Sequence, residues 1–266
     1  MDNLKYITSS KLFSTVFDSE MKSRGFKRKG HLYYRLVGEI MQGVVLKTTN
    51  PFEICAHAFP VWSKPSYFYS LGPWIENKGY WAESGMSVDP AYLFGGYYRK
   101  ENVELNFEAM EFCLEVVKEY VLPILDDITD VNSYIEYKRK RLNNDTLTNL
   151  RSIRLYEPRF AVKYKDIVYN PTCDVRCANV DIIDAYAYLY RAYQENDYAK
   201  VYDELKEYAN DYYAYDIRGQ GKMLALYEKI MNLGDLSWIE SYRKERLQFI
   251  VPILKRDFNI DFEIDF

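Results

Sequence analysis

Histidine is nearly missing from this sequence. His31 and His57 are the only two in 266 residues, which excludes a histidine-rich metal centre. Cysteine is sparse as well. Four thiols, Cys55, Cys113, Cys173 and Cys177, in a chain this long exclude a disulfide-dense scaffold, because such a chain buries a core without cross-links. No apolar run approaches the roughly 20 residues that span a bilayer. Residues 1–10 hold no apolar stretch flanked by positive charge, so no secretory leader is read there. A reducing cytoplasm and free thiols are the expected setting. A surplus of one charge is also lacking: 35 Lys and Arg stand against 39 Asp and Glu, for a net −4. That balance argues against a general nucleic-acid binder, which is usually basic. There is no phosphate-binding glycine loop, nucleotide fingerprint or serine elbow, and Gly219-Gln220-Gly221 is too short to count. Nothing in the sequence asks for a cofactor.

Apolar residues at 48% and charged residues at 28% are those of a folded globular chain. The excess is aromatic, with 27 Tyr and 14 Phe. Tyrosine joins an apolar ring to a polar tip, which suits half-buried positions and interfaces.

Periodicity divides the chain into elements. Residues 4–23 read as an amphipathic helix, with Leu12, Phe13, Val16, Phe17 and Met21 on one face and Gly25 just past its end. Residues 32–37, 40–47 and 52–59 read as three strands of an antiparallel meander, turned at Gly38-Glu39 and Asn50-Pro51. Residues 62–98 have no clean period and are rich in aromatics, glycine and proline; a long loop of this kind is functional or conceals structure. Helices are expected at 102–125, bent or ended by Pro123, and at 129–142. The polar Asn143-Asn144-Asp145 marks a domain boundary, giving an α+β domain over 1–143 and a mainly helical domain over 144–266. In the second half, 160–169 allows a strand, and helices are expected at 180–195, 198–213, 222–232 and 235–256. Residues 258–266 alternate strictly, the pattern of a half-buried strand or an exposed tail. The fold class is α+β: an N-terminal helix, a meander sheet with closing helices, then a mostly α-helical part.

Several of these elements carry a resemblance. They are the opening helix, Gly25-Phe26-Lys27-Arg28-Lys29-Gly30, Tyr33-Tyr34-Arg35, Val44-Val45-Leu46-Lys47, and the closing helix with Tyr120-Val121-Leu122-Pro123-Ile124-Leu125. On them, residues 12–126 resemble the bacterial domain of unknown function 4304 family. The resemblance implies an α+β domain over less than half the chain. That family has no established activity, so it assigns no functional residue. Around Tyr186 to Tyr208 the chain looks like one tetratricopeptide-type helix pair, but the 34-residue period of an array is not found.

Three groups of residues invite a chemical reading. Glu53, Cys55 and His57 alternate along one strand and so share a face, about 6.5–7 Å apart at the backbone. They are catalytic candidates, a thiolate–imidazole pair with a carboxylate beside it; the plain alternative is a buried Cys and a satisfied His under another element. Trp62, Trp74 and Trp81 offer stacking surfaces, with Glu76, Glu83 and Asp89 as acid partners. That combination suits partner or sugar recognition, or hydrolysis by paired carboxylates; the alternative is a lid that packs its aromatics onto the sheet. Cys173 and Cys177 form C-x₃-C without a second pair, which leaves no metal site. The basic group Lys22, Arg24, Lys27, Arg28 and Lys29 is read as a solvated turn.

The leading expectation is a protein-binding module with a protein partner, of which toxin neutralisation would be one form. It rests on the missing catalytic set, the tyrosine excess and the helix pair. The alternative is a hydrolase or small-ligand binder using the 62–98 loop or the Cys55/His57 face.

Overall fold

The computed structural model describes residues 7–47, 53–62, 86–94, 98, 101–143, 152–177, 185–196 and 237–263. Helix α1 (Ser9–Ser23) starts at Thr8, whose side chain accepts from the Lys11 N–H at 3.2 Å and so satisfies one of the donors that a helix start leaves over. It ends in a Schellman turn. Gly25 takes a φ of +79° while the Phe26 N–H returns to the Met21 carbonyl and the Gly25 N–H to that of Lys22. Glycine adopts this left-handed conformation without steric cost.

Seven strands follow: β1 (Lys27–Lys29), β2 (Leu32–Val37), β3 (Ile40–Lys47), β4 (Glu53–Pro60), β5 (Met86–Asp89), β6 (Ser152–Tyr156) and β7 (Thr172–Cys177). They form one antiparallel sheet in the order β1-β2-β3-β4-β5-β7-β6. The β2 and β3 bounds coincide with the sequence alternation. Gly38 turns β2 into β3 at a φ of +54°, and a Cβ there would lie 3.0 Å from the Thr129 carbonyl oxygen. Residues 152–177 were not expected to complete the first sheet, and the division at 143/144 falls between strands that share its hydrogen bonds.

The register sorts side chains onto two faces. One carries Tyr33, Arg35, Gln42, Val44, Leu46, Ile54, Ala56, Val88, Val175 and Cys173. Helix α1 covers it: the Phe13 and Phe17 rings lie 5.2 and 6.4 Å from that of Tyr33. Helix α2 (Val103–Val116) runs through a π-helical segment (Val117–Val121) into α3 (Leu122–Asp127) and covers the same face. The expected bend at Pro123 takes the form of that widened turn. Proline lacks an N–H and its ring crowds the carbonyl four residues back; the Leu122 N–H bonds instead to Val117, five back, and the helix continues. Helix α4 (Val131–Asn143) follows.

The other face carries Tyr34, Gly43, Val45, Lys47, Glu53, Cys55, His57, Ser87, Asp89, Asp174 and Arg154. Helix α7 (Trp238–Phe258) lies over its β2 end, where the Tyr34 hydroxyl donates to the Phe258 carbonyl at 2.7 Å. Between them come α5 (Pro158–Lys163) and α6 (Ala185–Glu195).

Two expectations change. The strand allowed at 160–169 is helix at its start. Pro158 presets the first-turn backbone, and the Glu157 side chain accepts from the Arg159 N–H. The alternating 258–266 segment is not a strand over 259–263. Phe258 is the last buried residue of α7, and Asn259 then turns left-handed at a φ of +50°. The expected helices at 198–213 and 222–232 lie outside the described residues.

Gln42 ties sheet to helix. It is fully buried, its amide donates to the Leu125 and Ile128 carbonyls at 2.6 and 2.7 Å, and its oxygen accepts from Arg35 at 2.7 Å. The two carbonyls lie at the end of α3, where a helix leaves carbonyl groups over; that of Leu125 also accepts the Ile128 N–H at 3.2 Å. Gln42→Leu keeps the volume and removes the donors. It will lower unfolding free energy by about 2–4 kcal/mol, read as a lower urea midpoint at unchanged slope.

Candidate functional site

The buried acidic and basic side chains of the described strands all fall on the second face. Lys47, His57, Asp89 and Asp174 lie there with Ser87 and Thr172. Period-two geometry directs Glu53, Cys55 and His57 to this face, and antiparallel pairing sets Lys47 opposite Glu53, Ser87 opposite Cys55 and Gly43 opposite His57. Gly43, opposite His57, contributes no side chain of its own to the row. Lys47 donates to Glu53 at 3.0 Å, an ion pair across the Asn50-Pro51 connection. Further along, Arg154 grips Asp174 through two contacts of 3.0 and 3.4 Å, and its guanidinium lies 5.5 Å from the Tyr92 ring centre.

The electrostatics of this row oppose nucleophilic catalysis. Cys55 is 1% exposed. Burial pushes its thiol pKa well above the usual value, the Glu53 charge pushes the same way, and Lys47 offsets only part. A nucleophilic cysteine needs the reverse, a thiolate near neutral pH. Burial works against the Lys47 ammonium, but the Cys55 sulfur and the Glu53 carboxylate outweigh it and raise its pKa. The row therefore holds a neutral thiol beside a closed ion pair.

Cys173 lies on the opposite face, where Cys113 of α2 hydrogen-bonds it, and burial raises the Cys113 pKa strongly. Cys173 and Cys177 are four residues apart on a strand, about 13 Å at the backbone, too far to share one ion. Among the described residues no group of three or more His, Cys, Asp or Glu is placed to hold a metal.

Trp62 is 0% exposed. Its ring N–H donates to Glu39 at 2.6 Å and its ring meets the edge of Tyr190 at 5.2 Å between centres. Arg243 of α7 pairs with the same Glu39 carboxylate and lies over the Tyr190 ring. Trp62 thus joins the β2–β3 turn, the end of β4, α6 and α7, and it offers no free stacking surface. Trp74, Trp81, Glu76 and Glu83 lie outside the described residues. Asp89 bonds the Ala91 N–H at 3.0 Å and lines the polar row.

Sequence reasoning missed Lys47, Ser87, Asp174 and Arg154. Lys47 was within reach, because it ends one strand of the antiparallel meander and Glu53 begins the next. The other three needed β5, β6 and β7, whose partners lie far off in the chain.

Two outcomes follow from this geometry. Trp62→Ala removes a fully buried indole and the donor to Glu39. It will destabilise the fold by about 3–5 kcal/mol, measured by denaturant unfolding, and so acts on stability before any binding. The raised pKa values set an alkaline limit. The unfolded chain gives up the Cys55 proton from the usual 9.0 and the Lys47 proton from 10.5, while the folded chain keeps both. Stability from these groups is full below about pH 9 and lost as pH climbs toward the folded values. The melting temperature will fall from about pH 9 upward, and Cys55→Ala will flatten the first part of that decline.

The chain matches no protein-family model, no curated protein and no solved structure.

Proposed function

We propose that this protein is a protein-binding module whose contact surface is the β6 end of the sheet. One observation carries the reading. Of the large hydrophobic side chains exposed among the described residues, four gather there: Tyr92 at 39%, Tyr156 at 60%, Val162 at 80% and Tyr169 at 88%. Tyr156, Val162 and Tyr169 belong to the excursion between β6 and β7, closed by the Tyr156–Thr172 pair. Tyr92 joins them through Arg154. Helix α5 turns Phe160 inward toward Phe112 of α2 and anchors Arg159 and Lys163 to glutamates of that helix. Val162 is left facing solvent.

Exposed tyrosine and arginine on a rigid base are the residue types that dominate binding energy at interfaces. The strand β6 ends the sheet, and sheet ends accept partner strands. The likeness of residues 12–126 to the domain of unknown function 4304 family belongs to this proposal too, supported by the order of helix, meander and closing helix. The hydrolase alternative is weakened by the Cys55 thiol, which is held neutral where a nucleophile is needed. No helix among the described residues is long and apolar enough to cross a membrane.

The test is affinity capture from the source cell's lysate with the wild-type chain and a Tyr156→Asp/Tyr169→Asp variant. Both side chains are exposed, so the variant will keep the wild-type melting temperature. A stoichiometric protein held by the wild type and lost from the variant is the expected outcome. Equal capture by both, or none by either, would count against this surface.

A further inference from the structure

The sheet ends in two different ways. On one side β1 is three residues long and reads Lys27-Arg28-Lys29. Short, basic edge strands of this kind discourage a second chain from pairing. On the other side β6 runs five residues, Ser152-Ile153-Arg154-Leu155-Tyr156. It pairs with β7 residue for residue without a bulge and holds neither lysine nor proline. Among the described residues no strand adds to its outer side. An edge without those guards is a template for another strand.

The ladder shows which groups face outward. The Glu157 N–H donates to the Pro171 carbonyl at 2.9 Å, in the register that pairs Tyr156 with Thr172 and Leu155 with Cys173. Hydrogen-bonded pairs alternate along an antiparallel ladder. Ile153 and Leu155 therefore bond to β7, while Arg154 and Tyr156 turn their N–H and C=O groups away from it. The side chains of Arg154 and Tyr156 are exposed, and those of Ile153 and Leu155 are half-buried against the core.

A strand of the same sequence meets this edge well. Two copies related by a two-fold axis pair their β6 strands antiparallel, and each contact given by one copy is received by it in turn. A register with the two Leu155 residues facing at the axis uses the outward groups. Arg154 of each copy exchanges two N–H···O=C bonds with Tyr156 of the other, and its guanidinium lies opposite that ring, an attractive cross-strand pair. Centring on Arg154 instead sets two cations face to face. The area is adequate as well. At about 150–250 Å² for a tyrosine, the exposed fractions of Tyr92, Tyr156 and Tyr169 come to roughly 300–450 Å² per copy. With Val162 and the strand backbone added, two copies approach the roughly 1,200 Å² of a stable interface.

We propose that β6 pairs with β6 of a second copy of this chain, joining two seven-stranded sheets into one across a two-fold axis. The inference rests on the reading of the β6 end as a contact surface and names the partner that surface takes.

The experiment uses the purified full chain. Sedimentation equilibrium is run over a wide range of protein concentration, and amide exchange is followed at Arg154 and Tyr156 at the two ends of that range. The expected result is a mass that climbs from one chain toward two, with exchange at both amides slowing as the dimer fills. Tyr156→Pro deletes the outward N–H and the ring and leaves the bonds to β7 in place, because proline is tolerated at such edge positions. Two hydrogen bonds are lost per dimer, so its dissociation constant will rise about 10-fold or more. If that variant fails to fold, the amide exchange of the wild type carries the test. A chain that stays monomeric at every concentration overturns the proposal. So does a dimer whose Arg154 and Tyr156 amides exchange as in the monomer, or one that Tyr156→Pro leaves unchanged. A monomer that captures a different protein through Tyr156 and Tyr169 also overturns the second copy as occupant, while leaving the β6 surface standing.

Discussion

Strand β4 sends Ile54, Ala56 and Ala58 to one side of the sheet and Cys55, His57 and Phe59 to the other, and both sets are buried. Antiparallel sheets often leave one face to water. Here helices α1, α2 and α3 close one face and α7 covers the β2 end of the other, so polar groups on the strands must find partners inside the protein. The first face meets this condition by being mostly apolar; the donors of Gln42 and Arg35 run to helix-end carbonyls and Asp126, and Arg28 at its edge pairs with Asp18. The second face meets it with cross-strand pairs, Lys47 with Glu53 and Arg154 with Asp174. The chemistry of Cys55 follows from the same burial, because a thiol held in a closed interior beside a carboxylate keeps its proton.

The joint around Glu39 shows how the distant helices are held. Arg243 is desolvated, which lowers its pKa, and removing a cation from water is unfavourable without compensation. Glu39, Glu240 and the face of Tyr190 supply that compensation, and Trp62 completes the coordination of the Glu39 carboxylate. A two-residue hairpin turn thereby becomes the anchor for a helix two hundred residues later. About four turns beyond Arg243 along α7 lies Phe258, fixed by Tyr34, so the helix is pinned to β2 at both ends.

Side chains that a sequence offers for chemistry are thus drawn into the architecture, and those that stay available lie elsewhere. Cys55 and His57 sit under cover and Trp62 serves as a joint. The exposed tyrosines belong to the β6–α5–β7 end, where a short helix shows solvent the side opposite its anchored one.

Local physics was enough for much of this. Alternation over 32–37 and 40–47 placed β2 and β3, helical spacing with Gly25 placed the end of α1, and period two set Glu53, Cys55 and His57 on one face. These depend on neighbours within a few residues, so the sequence by itself determined them. It also determined the α+β class, through the change of period from 3.6 to 2 and back. Tertiary structure decided the rest. β5, β6 and β7 are short, and they are strands because β4 and one another supply the hydrogen bonds, across gaps that no local pattern reports. The interior place of Trp62 required Tyr190 and Arg243, far along the chain. Even the tyrosine excess, visible at once in the composition, carries no address: Tyr33 and Tyr34, neighbours in sequence, pack under α1 and α7 on opposite faces, while Tyr169 stands in water. Whether a ring serves as core or as contact depends on which faces the completed sheet leaves open, and that is a property of the whole fold.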